Sequence, residues 1–182
     1  MKFGIIRERK NPPDRRVVLS PEACVKLRSI YPNATIIVEP SPIRVFKDEE
    51  YANKGFEVAS KMEECDVLLG VKEVPMEDLI PNKKYFFFSH TIKKQPYNRD
   101  LLQTILDKNI ELYDHEVITN AKGQRLVAFG RYAGIVGAYN GIRAYGLKFD
   151  LFNLTKAEDL VDQKALITEL QNIKLPNIKI LL

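Results

Sequence analysis

Two apolar runs, Val67–Val71 and Tyr85–Phe88, constrain the fold more than any other feature of this sequence. Each run is short, and polar or charged residues stand on both sides of it. Strands that are apolar on both faces are typical of a parallel sheet that helices cover on both sides. The two runs therefore predict parallel strands that are buried on both faces.

Further strand-like and helix-like segments alternate along the chain. The other predicted strands are Lys2–Ile6, Ala34–Val38, Phe56–Val58, Ile110–Tyr113 and Leu126–Phe129. The predicted helices are one that starts at Pro21 behind an N-cap at Ser20, a short one from Asp48, Asn98–Lys108, Gly134–Tyr145 and about Gln163–Gln171. This alternation indicates an α/β fold with an open, mostly parallel sheet that helices flank.

Composition excludes several classes of protein. The 182 residues suit one domain or one domain with an appendage. The net charge of +4 is scattered rather than gathered on one dense basic face, so we expect no nucleic-acid partner. We see neither a signal peptide nor a stretch near the ~20 apolar residues of a membrane span, so we expect a cytoplasmic protein without a membrane partner. Cys24 and Cys65 lack metal-ligand spacing, which predicts buried thiols and no metal.

Polar residues follow several predicted strands, at the point where each strand ends. In a parallel sheet, ligands bind outside the carboxyl ends of the strands. Lys72 follows the first apolar run, His90 follows the second, and Glu116 and Arg131 follow two later strands. These four side chains are therefore expected to meet at one edge of the sheet.

Each of these residues has a possible functional role and a simpler structural interpretation. His90 could be a general acid and base, because imidazoles titrate near pH 6.5, or could only cap its strand. Lys72 could bind a carboxylate or carbonyl, act as a base, or simply be solvated. Arg16, or Arg15 beside it, could grip a substrate carboxylate with two hydrogen bonds. Glu116 could orient a cation or merely be exposed.

Two other features of the sequence invite a functional reading that we consider weaker. His115, the second histidine, is expected to form only a local hydrogen bond. The segment GRYAGIVGAYNG follows a predicted strand, but its glycines do not have the G-x-G-x-x-G spacing of a dinucleotide-binding turn. Their spacing fits close helix packing better than phosphate binding.

Several stretches together resemble a known family. RERKNPPDRRVVLSP, VEPSPIRVFKDEEYANKGFEV, LLGVKEVP, YFFFSHTIKKQPYN and RLVAFGRYAGIVGAYNGIRAYGLK are similar to the N-terminal domain of alanine dehydrogenases and nicotinamide transhydrogenases. Within that superfamily they resemble most the lysine-forming saccharopine dehydrogenase and lysine-ketoglutarate reductase group. The likeness covers Met1 to about Lys148. It implies the Rossmann-like substrate domain of a two-domain oxidoreductase that interconverts saccharopine with lysine and 2-oxoglutarate through an imine.

The resemblance also implies roles for individual residues. Lys72 and His90 would transfer protons and polarise the substrate, and Arg16 would hold a substrate carboxylate. Glu116 and Arg131 would be further substrate-binding residues. The substrates would be an amino acid and a 2-oxo acid.

The resemblance implies a domain division and a cofactor as well. Residues 1–147 would form the catalytic domain, and residues 148–182 a linker, a helix and the first strand, from Asn177, of a nicotinamide-binding domain. NADP or NAD would be bound mainly by the part of that domain that this chain lacks. Because hydride transfer needs the cofactor, the chain alone is expected to be inactive.

Two alternatives remain open. One is an enzyme like alanine dehydrogenase, which would reductively aminate a small 2-oxo acid. The other is a stand-alone domain that binds an amino acid and regulates a partner. The sequence does not decide between NAD and NADP, the direction of the reaction or the oligomeric state.

Overall fold

The structure, a computed structural model, describes residues 1–179. The chain forms two compact units, Met1–Ala128 and a second one from Phe129 onward. The predicted domain boundary after residue 147 rests on family resemblance and stays a prediction. The strand predicted from Asn177 runs into residues 180–182, which lie outside the described residues.

The first unit is built on one parallel sheet. Its six strands are β1 (Lys2–Ile5), β2 (Thr35–Val38), β3 (Glu57–Val58), β4 (Val67–Lys72), β5 (Lys84–Phe88) and β6 (Glu111–Asp114). Their order across the sheet is β3-β2-β1-β4-β5-β6, and every neighbouring pair is parallel. The predicted α/β architecture is therefore confirmed.

Five α-helices accompany the strands. They are α1 (Pro21–Ile30), α2 (Asp48–Ala52), α3 (Arg99–Asp107), α4 (Gly130–Lys148) and α5 (Gln163–Gln171). The predicted cap of α1 is confirmed, because the Ser20 hydroxyl accepts a hydrogen bond of 3.1 Å from the Ala23 N–H. Such a cap satisfies one of the backbone N–H groups that a helix start leaves unpaired.

The strands bury both of their faces, as the apolar runs indicate. Consecutive strand residues point to opposite faces of a sheet. Accordingly, Ile36 belongs to a core cluster with Cys24 and Tyr51, whereas Ile37 belongs to a second cluster with Leu68 and Leu101. Helices α1 and α2 thus cover one face of the sheet, and α3 covers the other.

One predicted strand is wrong. Leu126–Phe129 is apolar but forms no strand; it bends into the start of α4, and both end residues are largely exposed. The preceding segment is held instead by an isolated antiparallel bridge between Thr119 and Arg125, around a turn that ends at Gly123. The backbone groups of this segment therefore form hydrogen bonds within a local turn and do not pair with the edge strand of the sheet.

The second unit has its own small core. Its buried members are Tyr139 of α4, Leu154 between the two helices and Leu166 of α5. The Tyr139 hydroxyl donates to the Thr155 carbonyl over 2.7 Å. The close packing predicted for the glycines of GRYAGIVGAYNG is wrong, because beyond their chain neighbours and the backbone of α4 itself no described atom lies within 4 Å of an ideal Cβ at any of them. A close approach occurs instead at Gly146, where an ideal Cβ would clash with the Phe152 ring.

Both cysteines are free and buried, as predicted. Burial raises the pKa of the Cys24 thiol to about 11, so the thiol form dominates at neutral pH. Within residues 1–179, no helix has the length and apolar character needed to cross a membrane.

Gly4 offers a test of how tightly the centre of the sheet is packed. A Cβ at Gly4 would lie 2.8 Å from Leu68 Cδ2 and about as near to the sulfur atoms of Met62 and Cys65. Gly4→Ala is therefore expected to lower the free energy of unfolding by about 1–3 kcal/mol, the usual cost of overpacking. Urea denaturation followed by circular dichroism would measure it.

Gly137→Ala is the matched control for this experiment. Gly137 lies inside α4, and beyond its chain neighbours and the backbone of the helix itself no described atom is within 4 Å of its ideal Cβ position. Alanine favours helix by about 1 kcal/mol over glycine, so this variant is expected to be as stable as the parent or more so. Equal losses in the two variants would contradict the packing argument.

Candidate active site

The ends of β4 and β5 place Lys72 and His90 on neighbouring strands. Lys72 is the last residue of β4 and is aligned with Phe88 of β5. His90 comes two residues after Phe88. Neighbouring strands lie about 4.8 Å apart, so both side chains start from the same edge of the sheet.

The backbone at Lys72 is bound by Glu8, which follows β1. The Glu8 carboxylate accepts hydrogen bonds from the backbone N–H groups of Val71 (2.7 Å) and Lys72 (2.8 Å). Burial raises the pKa of Glu8, and the two N–H bonds oppose that rise. The Lys72 ammonium makes no direct hydrogen bond or ion pair within residues 1–179, which leaves it available to a ligand.

Arg16 belongs to the same part of the site and forms an ion pair with Asp14. Its guanidinium donates to both carboxylate oxygens of Asp14, over 2.9 and 3.1 Å from Nε, with a further bond from Nη2. Arg16 lowers the pKa of the Asp14 carboxyl, and the Lys72 charge adds to that effect. Glu8 likewise favours the charged form of Arg16. Arg16, Asp14, Glu8 and Lys72 thus form one electrostatic cluster.

Arg15 is placed differently from Arg16. Its backbone carbonyl accepts a hydrogen bond of 2.8 Å from the Val45 N–H. It lines a surface cavity of about 630 Å³ together with Arg44 and Lys47, and neither Lys72 nor His90 contributes to that lining. Of the two arginines that the sequence leaves open, Arg16 is therefore the one that shares the surroundings of Lys72.

His90 and Glu116 form the second part of the site. The His90 Nδ1 lies 2.9 Å from a carboxylate oxygen of Glu116. Because an ionised carboxylate can only accept, the tautomer that donates to Glu116 carries its proton on Nδ1 and leaves Nε2 as the basic nitrogen of the neutral ring. The Lys93 ammonium also lies 3.1 Å from Nδ1. Lys93 and Arg125 approach the other Glu116 oxygen at 3.4 and 3.6 Å. The bond to His90, followed by the Lys93 charge, lowers the pKa of Glu116.

A buried hydrogen-bond network fixes the loops that carry this pair. Asp114, at the end of β6, accepts from the Ser89 hydroxyl with one oxygen and from the Glu116 N–H (2.8 Å) with the other. Ser89 is fully buried, and its oxygen also accepts from the Thr91 N–H. The carboxylate of Asp114 therefore ties the β5 and β6 loops to each other beside His90.

The backbone of His90 is held in an uncommon conformation. Its φ of 59° lies in the left-handed region, which non-glycine residues rarely adopt. The side-chain amide of Asn98 donates to the His90 carbonyl over 3.0 Å, which stabilises this turn. Such conformations occur disproportionately at functional sites.

Arg131 is the remaining candidate that the sequence predicts. It lies in the first turn of α4 in the second unit and is exposed. Because the strand expected before it does not form, the argument from a strand end no longer supports it. Its role in substrate binding stays a prediction.

Several residues of the site were not selected from the sequence. Glu8, Asp14, Lys93 and Arg125 contact the selected residues through pairings that join distant parts of the chain or close a local turn. The available signal was the position of Glu8, three residues beyond the end of β1.

The residues of the first unit do not fit a dinucleotide cofactor. The loop between β1 and α1, where such a fold binds the pyrophosphate, contains no glycine from Ile6 to Ser20. Within residues 1–179, no group of histidine, cysteine and acidic side chains could hold a metal ion. By their chemistry, the side chains of Lys72, Arg16 and His90 can transfer protons and bind anionic groups.

Comparison with known proteins identifies the family. Residues 4–136 match the profile of the alanine dehydrogenase/PNT N-terminal domain. The chain belongs to this family. A relative of the domain, the alpha-aminoadipic semialdehyde synthase of Arabidopsis thaliana, is 37% identical over 147 residues, which are 79% of this chain and 14% of that protein.

Two further proteins are similar to this alanine dehydrogenase/PNT domain. The L-lysine-forming, NAD(+) saccharopine dehydrogenase of Candida glabrata is 30% identical over 174 residues, 91% of this chain and 46% of the enzyme. The solved structure of a transhydrogenase from Sinorhizobium meliloti superposes with a TM-score of 0.64, at 18% identity, over 80% of this chain and 44% of that chain. The chain spans less than half the length of each of these proteins.

The pairing of His90 with Glu116 can be tested by titration. His90→Phe keeps a ring but removes the donor, so the pKa of Glu116 is expected to rise toward its ordinary value. Because the folded-state pKa is lowered, the bond stabilises the protein above the unfolded-state pKa, and this contribution is lost as the pH falls through the folded-state pKa. Carbon-13 NMR of the carboxyl groups would follow the titration.

Glu111 provides an internal control in the same titration. Its pKa is also lowered, but by Lys84 and Tyr113 on the exposed part of the sheet. It is expected to titrate identically in the parent and in His90→Phe. An unchanged Glu116 pKa, or equal shifts at both glutamates, would contradict the pairing.

Proposed function

We propose that this chain is the substrate-binding and proton-transferring domain of an NAD(P)-dependent oxidoreductase that interconverts saccharopine with lysine and 2-oxoglutarate. The proposal is carried by the juxtaposition of Lys72 with the His90–Glu116 pair at neighbouring ends of parallel strands. The similarity to a lysine-forming saccharopine dehydrogenase supports this choice of substrates.

The proposed reaction needs several proton transfers, which suit this cluster. Oxidation of the secondary amine removes a hydride from carbon and a proton from nitrogen, which gives an imine. Water then adds to the imine carbon and loses a proton, and the C–N bond breaks as the nitrogen takes a proton. The products are the primary amine of lysine and the keto group of 2-oxoglutarate. A bound nicotinamide cofactor would supply the hydride acceptor, and residues outside the first unit would hold it.

His90 is suited to move the protons. With Nδ1 directed to Glu116, Nε2 of the neutral ring accepts a proton, and the resulting cation is stabilised by the same carboxylate. Glu116 thus selects the tautomer and offsets the positive charge that develops. Its salt bridges with Lys93 and Arg125 hold the carboxylate in place.

Lys72 and Arg16 are suited to bind the substrate. The Lys72 ammonium can donate to the oxygen of a keto or hydroxyl group and share in proton transfer. Arg16 presents a planar set of donors that matches a carboxylate, and Asp14 orients that set until substrate arrives. The negative charges of Glu8 and Asp14 offset the positive charges of Lys72 and Arg16 when no anionic substrate is bound.

Turnover by variants of the natural full-length protein tests these roles. Lys72→Met and His90→Gln are each expected to lower kcat by about 10²–10⁴-fold, the usual worth of acid–base catalysis. The assay follows NAD(P)H consumption with lysine and 2-oxoglutarate. Lys26→Met, on the exposed side of α1, is the matched control and is expected to retain full activity.

The same assay separates the proposal from its alternatives. Near-normal kcat in both Lys72→Met and His90→Gln would remove these residues from catalysis. Activity with ammonia and a small 2-oxo acid, but not with lysine, would indicate a reaction like that of alanine dehydrogenase. Amino-acid binding by calorimetry, without turnover or any cofactor requirement in the full-length protein, would favour a regulatory domain.

A further inference from the structure

The strand that ends at Lys72 contains an irregularity. Leu69 of β4 is aligned with Phe86 of β5, and Lys72 is aligned with Phe88. Between these pairs β4 has two residues, Gly70 and Val71, whereas β5 has one. This is the residue count of a β-bulge, which changes the direction of the side chains that follow it.

The bulge decides the face of the sheet on which Lys72 lies. Side chains alternate between faces along a strand, so one inserted residue moves every later side chain to the opposite face. Without the insertion, Lys72 would start from the face that its neighbours in the site do not share. The position of its ammonium therefore depends on the bulge being maintained.

The Glu8 carboxylate stabilises the bulge from the side of β1. In a regular strand, consecutive N–H groups point to opposite sides. Here the N–H groups of Val71 and Lys72 both donate to Glu8, one to each carboxylate oxygen, over 2.7 and 2.8 Å. Glu8 is 9% exposed, so no bulk water replaces it as an acceptor.

His115 stabilises the bulge from the opposite side. Its Nε2 lies 3.1 Å from the Gly70 carbonyl oxygen, which can only accept, so Nε2 carries the proton. The ring is 6% exposed and lies near the rings of Phe86 and Phe88. Its Nδ1 has no hydrogen-bond partner among the described residues, which leaves the Gly70 bond as the polar anchor of the side chain.

We propose that Glu8 is a positioning residue for Lys72, and that His115 supports it from the other side of the bulge. Together they hold the β4 bulge in the form that directs the Lys72 ammonium into the site. The inference rests on the proposed catalytic role of Lys72 and adds the means by which the fold sets its direction. Glu8 contacts the backbone of Lys72 and acts on the reaction only through it.

A double-mutant cycle in the full-length protein tests this dependence. Glu8→Gln keeps the size of the side chain but turns an amide NH₂ toward one of the two N–H donors. It is expected to lower kcat by about 10–100-fold with little change in KM, because a misplacement near 1 Å costs on that order. In a Lys72→Met background, Glu8→Gln is expected to cause no further loss, since nothing remains to be positioned.

Glu39→Gln is the matched control. Glu39 is another buried glutamate beyond a strand end, and it accepts from the Arg7 N–H over 2.8 Å and pairs with Arg9. If loss of a buried carboxylate mattered only for stability, Glu39→Gln and Glu8→Gln would affect kcat alike. The expected result is a loss of kcat in Glu8→Gln alone.

A pair of His115 variants tests the other side of the bulge, even if Glu8→Gln does not fold. Glutamine can direct an N–H to the position of Nε2, whereas leucine cannot. His115→Leu is therefore expected to lower kcat, and His115→Gln to recover most of it. Equal kcat in the two variants would contradict the role of the Gly70 bond.

The outcomes distinguish this inference from the proposed function. Losses from Glu8→Gln and Lys72→Met that multiply in the double variant would make Glu8 an independent contributor and overturn the inference. Full activity of Glu8→Gln beside an impaired Lys72→Met would overturn it too, while the function stands. Near-normal turnover in Lys72→Met would overturn both the role of Lys72 and its positioning.

Discussion

The pairing of β1 with β4 is the constraint on which the rest of the structure depends. These two strands are neighbours at the centre of the sheet, although α1, β2, α2 and β3 separate them in sequence. The chain leaves β1 toward one edge of the sheet and leaves β4 toward the other. A crevice opens where two such connections diverge, and ligands bind there in parallel sheets. Glu8, which follows β1, spans this crevice to reach the end of β4.

The charges at this crevice are balanced by contacts between loops. Lys72 and Arg16 lie near Glu8 and Asp14, whereas His90 and Lys93 lie near Glu116. Each acidic side chain either orients a cation or bonds to backbone N–H groups. An anionic substrate can therefore bind to cations that are already in place, which reduces the cost of ordering them. The arrangement is suited to carboxylates and keto groups, as the proposed substrates require.

The sequence determined the fold class because a strand that is buried on both faces consists of consecutive apolar residues. The runs Val67–Val71 and Tyr85–Phe88 became β4 and β5, and the Ser20–Pro21 start of α1 is confirmed at the predicted residue. The apolar run Leu126–Phe129 misled because its local turn, closed by the bridge between Thr119 and Arg125, takes up the neighbouring backbone. An apolar run shows a tendency to be buried, but it does not show where a partner strand is available.

The sequence also determined the edge on which the site lies, since residues after parallel strands must meet there. It selected Lys72, His90, Glu116 and Arg131 on that ground, although no strand forms before Arg131, and it favoured Arg16 on a resemblance. Only the tertiary structure decided that Glu116 contacts Nδ1 of His90, that Glu8 holds the end of β4, and that Arg16 rather than Arg15 pairs with the Asp14 carboxylate. These contacts join residues that are far apart in the chain or differ by one position in a loop. Their geometry follows from strand register and from a one-residue bulge, which depend on hydrogen bonds between strands that no local pattern records.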